Sequence, residues 1–218
     1  YIKMGRSISG FRLNQTGGRF GPFENQLFLG DYSLSLILRA TTEQINGVWQ
    51  GACYPFREGL ATGIMNVEFS PKGQLIAGGF TTSSQWPVRG KEPFALQRID
   101  WNGVVPFEIR EINIRKDGFL ITFTQPVDKA AASNPDAYRI TTYTHVYDGG
   151  YGSPEVDQTT ARVTGATPSA DGLSVRLSLD KITEDHIHDF DLSRITSQAG
   201  KPLLHTKAYY TVNEIPRN

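Results

Sequence analysis

The sequence predicts an all-β protein of the sandwich, barrel or propeller type, and three observations lead to this fold class. Stretches with apolar residues at helical spacing are interrupted everywhere by Gly, Pro or β-branched residues. Short runs of alternating apolar and polar residues recur instead, roughly every ten residues. Between these runs lie Asn-Gly, Asp-Gly and Pro-x-Gly turn signals, which are typical of tight hairpins.

Twelve segments show the alternation expected of strands. They are residues 26–29, 34–40, 47–52, 65–69, 75–79, 95–100, 108–115, 119–124, 138–144, 161–166, 174–179 and 186–192. Five turns between them are predicted to use a glycine with positive φ, namely Asn46-Gly47, Pro71-Lys72-Gly73, Asn102-Gly103, Asp117-Gly118 and Asp171-Gly172.

The composition excludes several classes of function. The chain has 218 residues, with 22 Lys and Arg against 22 Asp and Glu, so its formal net charge is zero. A nucleic-acid-binding protein usually carries a basic excess or a basic stripe, and neither occurs here. No apolar run approaches the roughly 18 residues of a membrane span. With 39% hydrophobic residues, the chain can still bury a substantial core.

The character of the sequence changes near residue 105, which predicts two domains, residues 1–105 and 106–218. The first half repeats itself loosely, since QLFLGDYSLSLILRA and QLIAGGFTTSSQWPV each place Gln-Leu and an apolar run before a polar loop. A repeat of about 40 residues is typical of a propeller blade. Propellers need typically four or more blades, so two copies predict the end of a longer propeller. Because Tyr1 is not an initiator Met, we expect a mature or cut chain.

Four segments of the first half are rich in Gly and aromatic residues: GGRFGPFENQLFLGD, NGVWQGACYPFREG, EFSPKGQLIAGG and KEPFALQR. They resemble the last blades of a bacterial propeller family, large secreted proteins similar to quinone-dependent sugar dehydrogenases. The second half contains DGFLITFTQPVDKAAASNPDAYRI and DGLSVRLSLDKI. These resemble the β-sandwich tail of the same proteins and bacterial immunoglobulin-like domains, so the expected fold is partial propeller blades followed by an immunoglobulin-like sandwich.

The resemblance implies a C-terminal fragment of a secreted or periplasmic sugar-dehydrogenase-like protein, in which the sandwich is non-catalytic and braces or docks the propeller. Quinone, calcium or haem would belong to the parent protein, and the catalytic His of the family lies in earlier blades. No residue of this chain matches that base, so no catalytic residue is predicted. The alternative is a non-enzymatic structural or adhesive module that binds carbohydrate or neighbouring protein subunits.

The loop from Thr81 to Glu92 is the first candidate binding site. It carries Trp86, Arg89 and Lys91, and an aromatic platform beside two cations suits a sugar ring or a carboxylate-bearing ligand. The alternative is a solvated loop whose Trp packs on the neighbouring blade.

The second candidate is a zinc or copper site at His186 and His188. These residues alternate along a predicted strand, so both imidazoles should face one side, as two ligands of a metal would. The neighbouring Asp185, Asp189 and Asp191 should face the other side, which favours the alternative of solvated polar positions.

The remaining candidates are weaker. Three acidic loops, residues 24–31, 148–157 and 180–185, contain calcium-ligand residue types without the ligand order of a recognised calcium loop. The middle loop is long for a sandwich and is interpreted as a docking surface. Cys53 is the single cysteine and is interpreted as a buried apolar residue.

Overall fold

The computed structural model describes residues 4–81, 87–146, 149 and 152–217. These residues form fifteen strands, one short α-helix (α1, Lys129–Ala132) and one 3₁₀ turn, Pro135–Ala137. The strands are β1 Ile8–Leu13, β2 Leu27–Asp31, β3 Leu36–Ile45, β4 Val48–Arg57, β5 Ile64–Phe69, β6 Leu75–Phe80, β7 Phe94–Ile99, β8 Ile109–Arg115, β9 Gly118–Phe123, β10 Arg139–His145, β11 Glu155–Ala161, β12 Val163–Pro168, β13 Ser174–Leu179, β14 His186–Asp191 and β15 Lys207–Val212. The predicted all-β class is confirmed.

All twelve predicted strands are present, within a few residues of their expected bounds, and three further strands, β1, β11 and β15, were not predicted. Strand β1 is largely exposed and contains Gly10, and β11 is polar along most of its length, so both lack a clear apolar alternation. Strand β15 does alternate, with Ala208, Tyr210 and Val212 buried, and this pattern in the sequence could have revealed it.

The strands form three sheets, each antiparallel throughout, with the orders β1-β2-β3-β4-β15-β14-β10-β11, β12-β13-β9-β8 and β5-β6-β7. Among the described residues no sheet closes into a barrel. The chain divides into two compact units. The N unit contains residues 4–41 and 54–104, and the C unit contains residues 42–53 and 105–217. A boundary therefore falls at residue 105, where the sequence changes character, while the hairpin 42–53 groups with the later residues.

The N unit is built on an aromatic cluster. Phe28 is fully buried and meets Phe20, Phe56 and Phe69 edge-on, with ring centroids 4.9–5.5 Å apart. Edge-to-face pairs of this kind add stability beyond the area they bury. Ile37 on β3, Ile64 on β5 and Leu75 on β6 complete this core, and all three side chains are fully buried.

A buried arginine lies beside the aromatic cluster. The Arg39 guanidinium lies 4.3 Å from the ring centre of Phe23 and 4.2 Å from that of Tyr54. It also donates a hydrogen bond to Oε1 of Gln26 at 2.8 Å. The planar, weakly hydrated guanidinium is suited to stacking on aromatic faces. The cation is therefore part of the core of the N unit.

The C unit is a sandwich of two sheets. Phe119 on β9 packs edge-on against Phe190 on β14 and Tyr210 on β15, at centroid distances of 5.0 and 5.3 Å. Buried residues of β8 and β13, such as Ile112 and Leu177, lie in the same sheet as Phe119. Side chains from the facing sheets thus form a single apolar layer, as expected for a β-sandwich.

A buried polar network fixes the hairpin 42–53 within the C unit. The hydroxyl of Tyr210 donates to Oε1 of Glu43 at 2.7 Å and accepts from Nε2 of Gln50 at 3.0 Å. The same Glu43 oxygen accepts from the Ile114 amide at 2.7 Å. At the tip of the hairpin, Asn46 and Gly47 both have positive φ, as the sequence predicted.

Glycine at the predicted Asp117-Gly118 turn has a different role from the expected one. Gly118 does not have positive φ and begins β9 instead. A Cβ atom there would overlap the carbonyl oxygen of Leu177 on the neighbouring strand. The position needs glycine because two backbones approach closely, not because of the turn conformation.

Replacing Tyr210 with Phe should destabilise the protein by about 1–3 kcal/mol, because the half-buried Glu43 and the buried Gln50 side chains lose a shared partner. Chemical denaturation monitored by circular dichroism measures the change. Tyr209→Phe is the matched control. The Tyr209 side chain is half-buried on the opposite face of β15, so the loss of its hydroxyl should cost less than about 0.5 kcal/mol. Equal stability of wild type and Tyr210→Phe would contradict a stabilising network.

Candidate functional site

An apolar groove lies on the outer face of the sheet β5-β6-β7 in the N unit. It has a volume of about 390 Å³ and is lined by β5, β6 and β7 residues that include Met65, Ile76, Phe80 and Leu96. In antiparallel strands, every second side chain points to the same face. The groove is therefore a direct product of the alternation along these strands.

Two residues of β7 are unusually exposed for their type. Phe94 and Leu96 each expose 78% of their surface, and Phe80, directly opposite Phe94 on β6, exposes 44%. Single exposed apolar residues are ordinary, but clustered ones mark interaction sites. Phe80, Phe94 and Leu96 are hereafter called the apolar patch.

A glycine shapes the centre of the groove. Gly78 lies directly opposite Leu96, and a Cβ atom at Gly78 would come within 3.0 Å of Cδ1 of Leu96. The leucine side chain therefore leans over the glycine, and any larger residue at this position would displace it. The absence of a side chain at Gly78 makes the face concave there.

Glu68 lines the groove on its β5 side, and further charged residues lie around the groove. Arg12 forms an ion pair with Glu68, and Nε of Arg98 lies 2.8 Å from Oδ2 of Asp100. Both pairs are about half exposed, so each contributes little to stability. An apolar centre with a polar rim is the usual composition of a protein interface.

The structure places the predicted loop site only in part. Trp86 lies outside the described residues. Arg89 and Lys91 have exposed side chains, so the hypothesis of a sugar or carboxylate site at Trp86, Arg89 and Lys91 stays a prediction. The backbone of Arg89 is held in place, because its amide donates to the Ser33 carbonyl at 2.9 Å.

Gly90, between the two cations, permits a close approach of two loops. A Cβ atom at Gly90 would lie 2.5 Å from the Ala61 carbonyl oxygen, and the Gly90 amide donates to Oγ of Ser35 at 2.8 Å. This end of the loop is therefore packed on the N unit, with the side chains of Arg89 and Lys91 on its outer side.

The two histidines of β14 share a face, as predicted, but that face is buried. His186 is 9% exposed and His188 is fully buried, so the expectation of solvated positions is wrong. The fully buried His188 packs against Phe119 at a centroid distance of 5.3 Å. The sandwich core covers these side chains, because residues 186, 188 and 190 all point towards the opposite sheet.

The surroundings of each histidine differ. His186 contacts the carbonyl of Glu184 at 2.7 Å through Nδ1 and Oδ2 of Asp157 at 3.0 Å through Nε2. Within the described part of the chain, neither ring nitrogen of His188 has a hydrogen-bond partner. Burial lowers the pKa of His188 to about 4, and this effect outweighs the smaller contributions of His186, which oppose each other. A neutral imidazole in the core is the result.

Two aspartates of β14 itself point away from its histidines. Asp189 and Asp191 lie on the opposite face of β14, where Nζ of Lys207 is 3.5 and 3.3 Å from their carboxylates. Among the residues that the structure describes, no group of three His, Cys, Asp or Glu side chains could hold a metal ion. The histidines and the group of Asp189, Asp191 and Lys207 therefore lie on opposite faces of the sheet.

The carboxylates that begin and end the first acidic loop already accept hydrogen bonds within the protein. Glu24 accepts from the Gly17 and Gly18 amides at 3.0 Å each, which helps to lower its pKa against the opposing effect of desolvation. Fully buried Asp31 accepts from the Ser7 amide at 2.9 Å and the Leu34 amide at 2.7 Å. Both carboxylates stabilise turns of the N unit.

One buried acid-base pair was not recognised in the sequence. Glu108 is 2% exposed, and its Oε2 accepts a hydrogen bond from Nδ1 of His205 at 2.6 Å. The residues lie 97 positions apart, and only the fold brings them together. The other Glu108 oxygen accepts from the Ile109 amide at 2.9 Å, which fixes the carboxylate in place.

Cys53 is less buried than expected, with intermediate exposure on β4. Burial nevertheless raises the pKa of its thiol, so the thiol form is favoured over the nucleophilic thiolate. Cys53 lies directly opposite Tyr209 on β15, within the sheet of the C unit. Its position is that of a packing residue.

The sequence matches no family model and no curated protein, and the fold matches no solved structure. The class that the structure itself defines is an all-β protein of three antiparallel sheets with a sandwich in its C unit. In the described ranges, no helix has the length and apolar character that crossing a membrane requires.

The buried His188 predicts that stability falls in acid. Because the folded pKa of about 4 is below the ordinary value of 6.5, the unfolded chain binds the proton more readily between these values. Stability is therefore fully present above about pH 6.5 and is lost as the pH falls towards 4, by about 3 kcal/mol in total. Urea titrations at several pH values measure this slope.

The His188→Leu variant should lose this part of the pH dependence, while His145→Leu, which removes an exposed histidine, should keep it. A wild-type slope in His188→Leu would show that other groups cause the acid sensitivity.

Proposed function

We propose that this chain is a non-enzymatic binding module and that the outer face of β5-β6-β7 is its binding surface for a protein partner. The observation that carries the proposal is the apolar patch, where two residues of one strand expose 78% of their surface beside a groove. A surface of this kind is unfavourable in water unless a partner covers it. This corresponds to the adhesive alternative among the functions predicted from the sequence.

The composition of the groove favours a protein over a carbohydrate. Sugar sites combine a flat aromatic platform with several hydrogen-bonding groups that match the hydroxyls. Here the centre contains Leu96, Ile76 and Gly78, and polar groups such as Asn66 and Glu68 lie on β5 at the side. Apolar surface with polar groups at its edge fits an apolar polypeptide segment better.

The buried titratable groups of the C unit support binding without turnover. His188 and Phe119 pack together in the core, and Glu108 is held by His205 and a backbone amide. A general acid or base has to reach the group whose proton it transfers. Groups enclosed by the sandwich stabilise the fold and present no reactive surface.

Peptide and sugar arrays test the proposal directly. The probes are immobilised extended octapeptides with alternating apolar and polar residues, and a set of oligosaccharides. Wild-type protein should bind the peptides, and Leu96→Arg should weaken this binding at least tenfold because it places a charge on the patch. Leu204→Arg, which changes a leucine 63% exposed in the C unit, is the matched control and should bind as wild type does.

Two results would overturn the proposal. One is the absence of peptide binding at any concentration tested. The other is sugar binding that Leu96→Arg abolishes, which would assign the same face to carbohydrate. Circular dichroism of each variant establishes that the fold is intact.

A second candidate function concerns a parent protein. The strands β1-β2-β3-β4, at one end of the eight-stranded sheet, and the strands β5-β6-β7 are both antiparallel meanders, as are the strands of a propeller blade. This supports the proposal that the N unit consists of blades of a secreted or periplasmic sugar-dehydrogenase-like protein, followed by an immunoglobulin-like sandwich. The native full-length protein should then show quinone or haem absorbance, and a spectrum with protein absorbance alone would count against it.

A further inference from the structure

We propose that the partner of the N unit is a second copy of this chain, joined by antiparallel pairing of the two β7 strands about a twofold axis at Leu96. This inference rests on the proposed function and specifies the partner. The two copies would form one continuous six-stranded sheet from two copies of β5-β6-β7. The apolar patches of both copies would then lie side by side on its outer face.

The first argument is the regularity of the β7 edge. Six strands lie at the edges of the three sheets: β1, β11, β12, β8, β5 and β7. The pairing of each of the first five with its neighbour contains a register shift, whereas β6 and β7 pair without interruption over six residues. Bulges at sheet edges hinder pairing with another chain. Of the described edges, β7 alone lacks this protection.

The second argument is the direction of the β7 backbone groups. The Thr81 amide donates to the Pro93 carbonyl at 2.8 Å, which extends the ladder between β6 and β7 by one pair. Backbone groups alternate along a strand, so the odd-numbered residues of β7 point towards β6. The N–H and C=O groups of Phe94, Leu96 and Arg98 therefore point to the free edge, where no described residue pairs with them.

The third argument is that β7 is complementary to itself in antiparallel pairing. With the axis at Leu96, the two leucines lie opposite each other, and Phe94 of each copy lies opposite Arg98 of the other. Each of these three residue pairs would exchange two backbone hydrogen bonds. An arginine beside an aromatic ring adds a cation–π interaction.

Two neighbouring registers that keep the same backbone groups paired are less favourable. With the axis at Arg98, the two guanidinium groups would lie directly opposite each other, and like charges at this spacing are destabilising. With the axis at Phe94, each exposed Leu96 would face Glu92 of the other copy. The axis at Ala95 is the competing register, because it would place Phe94 opposite Leu96 and Glu92 opposite Arg98. A cross-link at position 96 separates the two, since only the axis at Leu96 places this residue opposite itself, and a dimer that Leu96→Cys does not trap would have another register.

The same side chains that line the groove would be covered by the pairing. Leu96 leans over Gly78 within one copy, and its outer side would contact the Leu96 side chain of the second copy. Phe94 lies between Phe80 on β6 and the expected position of the second Arg98. The free backbone edge and the apolar patch would thus be satisfied by one and the same contact.

Sedimentation velocity from about 1 µM to about 1 mM, the range of weak to moderate affinities, tests the oligomeric state. Wild type should convert from monomer to dimer as its concentration rises. Leu96→Arg places two like charges on the axis and should weaken dimerisation at least tenfold. Leu204→Arg should dimerise as wild type does.

A cross-link tests the register independently of the charge variant. Directly opposed residues in a hydrogen-bonded antiparallel pair have Cα atoms about 5.5 Å apart, which is within the range of disulfides. Leu96→Cys in a Cys53→Ala background should therefore form a covalent dimer under mild oxidation. Leu204→Cys in the same background should stay monomeric.

The outcomes separate this inference from the proposed function. If wild type is monomeric throughout the range but its peptide binding still depends on Leu96, the partner is another protein and the self-pairing is refuted. If a dimer forms that neither Leu96→Arg weakens nor Leu96→Cys traps, it uses another surface, and the inference falls as well. If peptide binding and dimerisation are both absent, both proposals fail.

Discussion

The hydrogen bonds around the Tyr210 hydroxyl are the constraint on which the rest of the C unit depends. They join Glu43 on β3 and Gln50 on β4 to a strand 160 or more positions further along the chain, and Glu43 also accepts from the Ile114 amide on β8. Buried polar groups of this kind are costly unless every member has a partner, so they specify one arrangement of the strands. The chain passes from one unit to the other within β3, after Thr41, and within β4, after Cys53.

Alternation and turn chemistry made the strands of this protein predictable from its sequence. Twelve strands and the positive φ of Asn46-Gly47 follow from local patterns, because side-chain period and turn conformation are decided by neighbouring residues. The grouping of the hairpin 42–53 with the later residues could not be predicted in this way. It depends on the pairing of β4 with β15, and no short-range signal encodes which distant strand becomes a neighbour.

The candidate sites show the same division between local and distant information. That His186 and His188 share a face follows from their spacing, but whether this face is covered depends on Phe119 from another sheet. The pair of Glu108 and His205 is likewise a product of the fold. The exposure of Phe94 and Leu96 was not recognised, although a strand with two large apolar residues on one side and Gln97 on the other departs from the usual polar exterior.

The distribution of bulges also limits how far assembly can proceed. A strand added to β7 would use the one regular edge, and twofold pairing would use it in both copies at once. The outer ends of the joined sheet would then be the bulged β5 strands, whose interrupted register is a poor template for further addition. Such a sheet closes as a finite pair, whereas a chain with two regular edges would be free to grow into a fibre.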